Sequence, residues 1–231
     1  MDSFVKKLKK LADEYPLENF EWDIPSNCPI QIPAECNSGF LKNIYLKENF
    51  HKTISKDQTL ASHYWSIQDW GGIGSFKKND KNDLRIRTFL GQLEKNALTK
   101  NTFECISSLS KVASFVNPDK YAIYDSRAIY AINWLLFNHS SSAELFPQPS
   151  GRSAELSKYD MQTIFRLTKR QFSYRSHKVA FHQYCGLLKE LTPQVFDKNS
   201  KPYKVEMLLF MIAPTQIVSQ IESSVSLEID A

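Results

Sequence analysis

The stretch SKVASFVNPDKYAIYDSRAIYAINWLL, residues 110–136, decides how the rest of the chain is read. Phe103, Ile106, Val112, Ala113 and Val116 follow helical spacing up to Asn117-Pro118, where the helix must end because the residue before a proline is pushed out of the right-handed helical region. The serines at 107, 108 and 110 either ride a continuous helix or make a tight hairpin between two short ones, since their hydroxyls compete for backbone groups. Beyond the proline, Tyr121-Ala122-Ile123-Tyr124 is a short extended approach. Asp125-Ser126-Arg127 then opens a second run, with Ile129, Ile132, Leu135 and Leu136 at helical spacing. Asp125 therefore stands at an N-cap.

The same periodicity extends outward. Ile86, Phe89, Leu90, Leu93 and Ala97 mark one helix, and Ala180, Tyr184, Leu187, Leu188 and Leu191 another. At the amino terminus Phe4, Leu8, Leu11, Ala12 and Tyr15 share a face opposite a row of lysines, the pattern of a docked surface helix. Pro16, Pro25, Pro29 and Pro33 then interrupt the chain as far as Gly39, which reads as extended chain laid over a core. Polar loops are expected at KKNDKND (77–83), at SSSAELFPQPSGRS (140–153) and at FDKNSKPY (196–203). Period-two alternation of useful length is missing, so the expected class is all-α.

Composition excludes several classes. With 231 residues, 42% hydrophobic and 23% charged, the chain can bury a sizeable core, which argues against disorder. The four cysteines, Cys28, Cys36, Cys105 and Cys185, are scattered without a C-x-x-C or histidines at metal spacing, so neither a metal site nor another cofactor is expected. The charged opening MDSFVKKLKK lacks the apolar stretch of a signal peptide, and MLLFMIA at 207–213 is too short to cross a bilayer. A cytoplasmic protein with no membrane partner is the expectation. A net charge of +4 suits a polyanionic partner without requiring one.

Asp125 and Lys111 are the two residues of the quoted stretch that could carry chemistry. A capping aspartate accepts from the first free backbone N–H groups of its helix, and that alone explains its presence. The positive end of the helix also suits an anion that stabilises a sugar becoming cationic as its base departs. Lysines are mostly solvated, but a desolvated amine can attack a sugar carbon and form a Schiff base.

SKVA, a helix, a short approach, I-Y-D-S-R and a following helix resemble the core of the helix-hairpin-helix DNA glycosylase superfamily. In its bifunctional members an L-P-G-V-G-x-K-x-A hairpin supplies a lysine, and a V-D-T-R-like step supplies the catalytic aspartate at a helix start. The resemblance covers about thirty residues, puts Lys111 and Asp125 on those two positions, and implies a two-lobe fold, a helical barrel with a degenerate hairpin at residues 40–117 beside a lobe formed by residues 1–39 and 118–231, with DNA across the cleft. Two departures accompany it: Ser107 and Leu109 replace the hairpin glycines, and the fourteen residues from Lys111 to Asp125 are fewer than usual by about one helical turn. A narrower resemblance is to the small bacterial antiphage glycosylases that remove glucosylated hydroxymethylcytosine.

Enzymes that act on a base take it out of the duplex, stack it on aromatics and read its edge with polar groups. HYWSIQDWGG, residues 63–72, carries both kinds of residue, so Trp65, Gln68, Asp69 and Trp70 are assigned to substrate recognition; a helix end with core aromatics is the competing account. Ser107, Ser110 and Arg127, with Lys169, Arg170 and Arg175 of the basic run TKRQFSYRSHK (168–178), are assigned to DNA binding, Ser150-Gly151-Arg152 being a weaker candidate. The expected partner is double-stranded DNA bearing a modified base, and the expected protein is a monomer acting without a cofactor. A modified-DNA reader on the same fold, a repair glycosylase for a damaged base and a helical interaction scaffold are the alternatives.

Overall fold

Helices α1 (Asp2–Glu14), α2 (Gly39–Asn49), α3 (His51–Ile54), α4 (Ala61–Gln68), α5 (Asp80–Leu93), α6 (Lys100–Phe103) and α7 (Ile106–Val116) form the first half of the chain. A 3-10 turn at Leu17–Asn19 follows α1, and an irregular, proline-broken segment leads to α2. After Pro118 come α8 (Ser126–His139), α9 (Ala154–Ser157), α10 (Met161–Leu167), α11 (His177–Val195), α12 (Tyr203–Ile212), a π-helical turn at Ala213–Ile217 and α13 (Val218–Ser224). The computed structural model describes residues 2–141, 143–151 and 153–225. Within them the protein is predominantly helical, and its strand pairing is a two-residue parallel ladder of Glu144–Leu145 with Ser173–Tyr174.

The quoted stretch forms the spine. In α7, Ile106, Leu109, Val112, Ala113 and Phe115 are buried, and in α8 every residue from Ala128 to Phe137 is, so α8 is a core helix rather than an amphipathic one. Helices α2, α3, α4 and α5 pack on α7, whereas α1, α12 and the π-helical turn pack on α8. Contacts between α6 and α11, and from the 3-10 turn to both α2 and α12, tie the two sets together over one continuous apolar core.

The serines ride α7, and the break falls earlier, at Glu104-Cys105 between α6 and α7. One expected loop is partly helical: KKNDKND ends inside α5, because Asn79 caps that helix through the Asn82 N–H and Asp80 and Asp83 occupy its first turn. The basic run 168–178 contains the short strand Ser173–Tyr174 and meets α11 at the Ser176 cap, so it forms no solvated helix face. Among the described residues no helix is long and apolar enough to cross a membrane.

Candidate functional site

Asp125 is fixed from both sides. The buried run Tyr121–Tyr124 is tied to α7 where the Tyr124 N–H donates to Ser110 Oγ at 3.0 Å. The chain then enters α8 at Asp125, whose φ of −90° and ψ of 152° are those of an N-cap. Its Oδ1 accepts from the Arg127 N–H at 2.8 Å, and its Oδ2 lies 3.9 Å from Lys111 Nζ. Cap and ion pair thus use different oxygens of one carboxylate.

Lys111 arrives from the middle of α7, its ammonium donating to the Ser107 carbonyl at 2.9 Å and its side chain only 8% exposed. Burial lowers its pKa from the ordinary lysine value, against the opposing pull of Asp125 and Glu206. Its methylenes run over the backbone at Gly71. A Cβ there would overlap Lys111 Cδ and come within 2.6 Å of the Ile67 carbonyl oxygen, so only glycine lets the lysine pass. Gly72, at φ +66°, completes a turn that a side chain would strain.

Lys111 and Asp125 line a cleft of about 530 Å³ whose walls come from both sets of helices, among them Gly71, Ser107 and Ser108 on one side and Ser126, Arg127 and Phe210 on the other. The cleft shares Trp22, Gly71, Lys111, Asp125 and Phe210 with a recess of about 60 Å³ that also includes Phe20, Trp70 and Glu206. Glu206 is 4% exposed and lies 4.0 Å from Lys47 Nζ, which donates to Ser114 Oγ at 2.8 Å. Lys47 also sits 5.1 Å from the centre of the Trp70 ring and 4.7 Å from that of Phe115. Burial pushes the Glu206 carboxyl up and the Lys47 ammonium down, while the attraction between them opposes both shifts.

The aromatic walls are locked by hydrogen bonds. Asn43 donates to the carbonyls of Trp22 and Gly39, both at 2.8 Å, and accepts from the Trp70 indole at 3.0 Å, while the Trp22 indole donates to the Trp70 carbonyl at 2.8 Å. Sequence reasoning missed Trp22, Asn43, Lys47, Glu206 and Phe210. A signal was present for Glu206, a lone charge inside the apolar run VEMLLFMI.

The structure separates the residues assigned from HYWSIQDWGG. Trp70 reaches the recess. Trp65 is packed edge-on against Phe50 with its indole donating to Asn27, so it serves the core. Gln68 donates to the Phe76 carbonyl, and exposed Asp69 accepts from Asn27 at 3.0 Å on the rim of a separate groove. Trp65 is buried, whereas Gln68 is half-buried and held at the Phe76 carbonyl.

The DNA-binding assignments divide in the same way. Ser107 lines the cleft, and its hydroxyl oxygen is buried without a hydrogen-bond partner, whereas Ser110 is fully buried as the acceptor for Tyr124. Arg127 lines the cleft and stacks 4.6 Å from the Phe210 ring centre. Arg170 donates to the carbonyls of Phe137 and Ser140 at the end of α8, and Arg175 pairs with Glu144 at 3.0 Å and donates to Gln183. Both arginines fasten the loop after α8. Lys169 is exposed, Ser150 and Gly151 line the cleft, and Arg152 lies outside the described residues.

The four cysteines are free thiols, and among the described residues no group of three or more His, Cys, Asp and Glu side chains could hold a metal ion. No family model, curated protein or solved structure matches the chain.

Proposed function

We propose that this chain is a DNA glycosylase with the two-lobe helix-hairpin-helix architecture, excising a modified base and leaving an abasic sugar. The observation that carries the reading is the pairing of Asp125 and Lys111 on one cleft: a helix-capping carboxylate 3.9 Å from a buried amine, beside an aromatic recess.

In the hydrolytic reaction the C1′–N bond breaks, the base keeps the electron pair and takes up a proton, and a water oxygen joins C1′ as its own proton is released. Asp125 faces the sugar as positive charge develops on it, or accepts the proton of the attacking water. Lys111 orients that carboxylate; its lowered pKa also makes it a candidate nucleophile for a subsequent lyase step. Arg127, across the cleft from Ser107 and Ser108 at the first turn of α7, suits phosphate oxygens. The favoured substrate is a modified cytosine, such as the glucosylated hydroxymethylcytosine of phage DNA, which would make the protein part of cytoplasmic antiviral defence.

The test is incubation with duplexes carrying uracil, oxidised guanine, alkylated adenine, hydroxymethylcytosine or its glucosylated form, followed by alkali. Alkali-dependent breaks at a modified cytosine support the reading. Breaks at uracil or oxidised guanine move the role to repair, and a gel shift without breaks identifies a reader.

A further inference from the structure

The recess beside the Lys111–Asp125 pair is lined by a third charged group, Glu206. Glu206 reaches it from α12, and its Oε2 is enclosed without a hydrogen-bond partner, since Lys47 at 4.0 Å is too far to donate. A buried acceptor left open is costly, and although Ile123 contributes a backbone hydrogen bond to the Glu206 carboxyl, Oε2 itself has no partner; the recess walls around it are the rings of Phe20, Trp22, Trp70 and Phe210 with Gly71, Ile123, Lys111 and Asp125. These rings meet edge to face, Trp22 lying 6.3 Å from Trp70 and 5.5 Å from Phe210, and the Asn43 hydrogen bonds hold the Trp22 side in place. Flat apolar walls and one unsatisfied acceptor at depth form a slot for the edge of a planar ring that carries an N–H donor.

We propose that this recess seats the hydrogen-bonding edge of the extruded base, and that Glu206 makes it a site for bases bearing an exocyclic amino group and against bases showing a carbonyl there. The inference rests on the glycosylase reading for the source of the base, but it concerns binding and needs no catalysis. An amino group donates to Oε2 and removes the unsatisfied acceptor. With Glu206 ionised, above its raised pKa of about 7, a carbonyl sets oxygen against oxygen and leaves both unpaired, so the wrong edge is rejected rather than merely bound less well. At about 60 Å³ the recess takes only the edge of a ring, the rest lying in the larger cleft beside Lys111 and Asp125. The glycosidic bond then points toward the residues that would act on it.

The measurement compares two analogues of one size, 1-methylcytosine and 1-methyluracil, by saturable quenching of tryptophan fluorescence, since Trp22 and Trp70 line the recess. The amino-bearing analogue is expected to bind at least about tenfold more tightly, the ratio set by one hydrogen bond satisfied against one left open. In Glu206→Gln, whose carboxamide both donates and accepts, that ratio should fall toward unity with the far-ultraviolet dichroism unchanged. If the single variant does not fold, Lys47→Met/Glu206→Gln removes both buried charges and gives the same comparison. Equal binding of the two analogues, no saturable quenching up to the solubility limit, or an unchanged ratio in a folded Glu206→Gln overturns the proposal. Strand breaks in duplex DNA without analogue preference remove this inference and leave the glycosylase reading; preference without strand breaks supports this inference and removes the catalysis.

Discussion

Asp125 holds two jobs on two oxygens, and substitution can part them. Asn keeps an acceptor for the Arg127 N–H but loses the charge facing Lys111, so Asp125→Asn should lower base release by orders of magnitude with a small change in melting temperature. Asp125→Ala should lose the cap as well, about 1 kcal/mol more. Near-parental excision by Asp125→Asn would show that the carboxylate is only a cap. Lys111 is tested by borohydride: a hydrolytic enzyme leaves no trapped protein–DNA adduct, and an adduct that disappears in Lys111→Gln would establish a lyase step. His63 gives a pH prediction. It is 4% exposed, its Nδ1 has no partner, and burial holds its pKa down to about 4 from 6.5. The unfolded chain binds that proton more readily, so stability is intact above pH 6.5 and falls as the pH drops toward 4, by on the order of 3 kcal/mol from this group. Urea midpoints at pH 7 and pH 5 should differ less in His63→Gln than in the parent, and equal differences would remove His63 as the cause.

At the scale of elements, the basic run divides into anchors and free charge. Arg170 closes the carboxyl end of α8 by donating to the Phe137 and Ser140 carbonyls and stacking on the Phe137 ring, so Arg170→Ala should cost about 2 kcal/mol of stability. Its effect on the salt dependence of DNA binding should be no larger than that loss of fold explains. Lys169 is exposed and makes the opposite case: Lys169→Ala should leave the urea midpoint unchanged and flatten the salt dependence. Binding measured across a salt series for both variants distinguishes the two, and a reversed pattern would return Arg170 to the DNA interface.

For the whole molecule, Lys47 and Glu206 join α2 to α12 across the interior, far apart in sequence and 4.0 Å apart in space. Removing one member strands the other without its counter-charge, so Glu206→Leu alone should cost about 3–5 kcal/mol, and Lys47→Met with Glu206→Leu should recover most of it. Additive losses in the double-mutant cycle would show that the two charges do not stabilise one another. The recovered double variant should still be poor at choosing a base. Apolar residues can replace a buried pair as packing but cannot accept from an amino group.

Sequence determined what local physics determines: helices from a 3.6-residue period, the end of α7 from Asn117-Pro118, and the start of α8 from the Asp125 cap. Those rules act over a few residues, which is why Asp125 and Lys111 were legible as a pair of candidates within one stretch. The aromatic segment 63–72 was legible only as a composition, because whether a tryptophan faces core or cleft depends on what packs against it. Trp65 met Phe50 and Trp70 met the recess, although they lie five residues apart. Tertiary structure alone decided that Gly71 makes room for the Lys111 side chain, that Arg170 and Arg175 are anchors, and that Lys47 and Glu206 meet behind the cleft. Each of these joins elements distant in the chain, and the partner that makes a buried charge tolerable or leaves an acceptor open is chosen by packing, which no local pattern encodes.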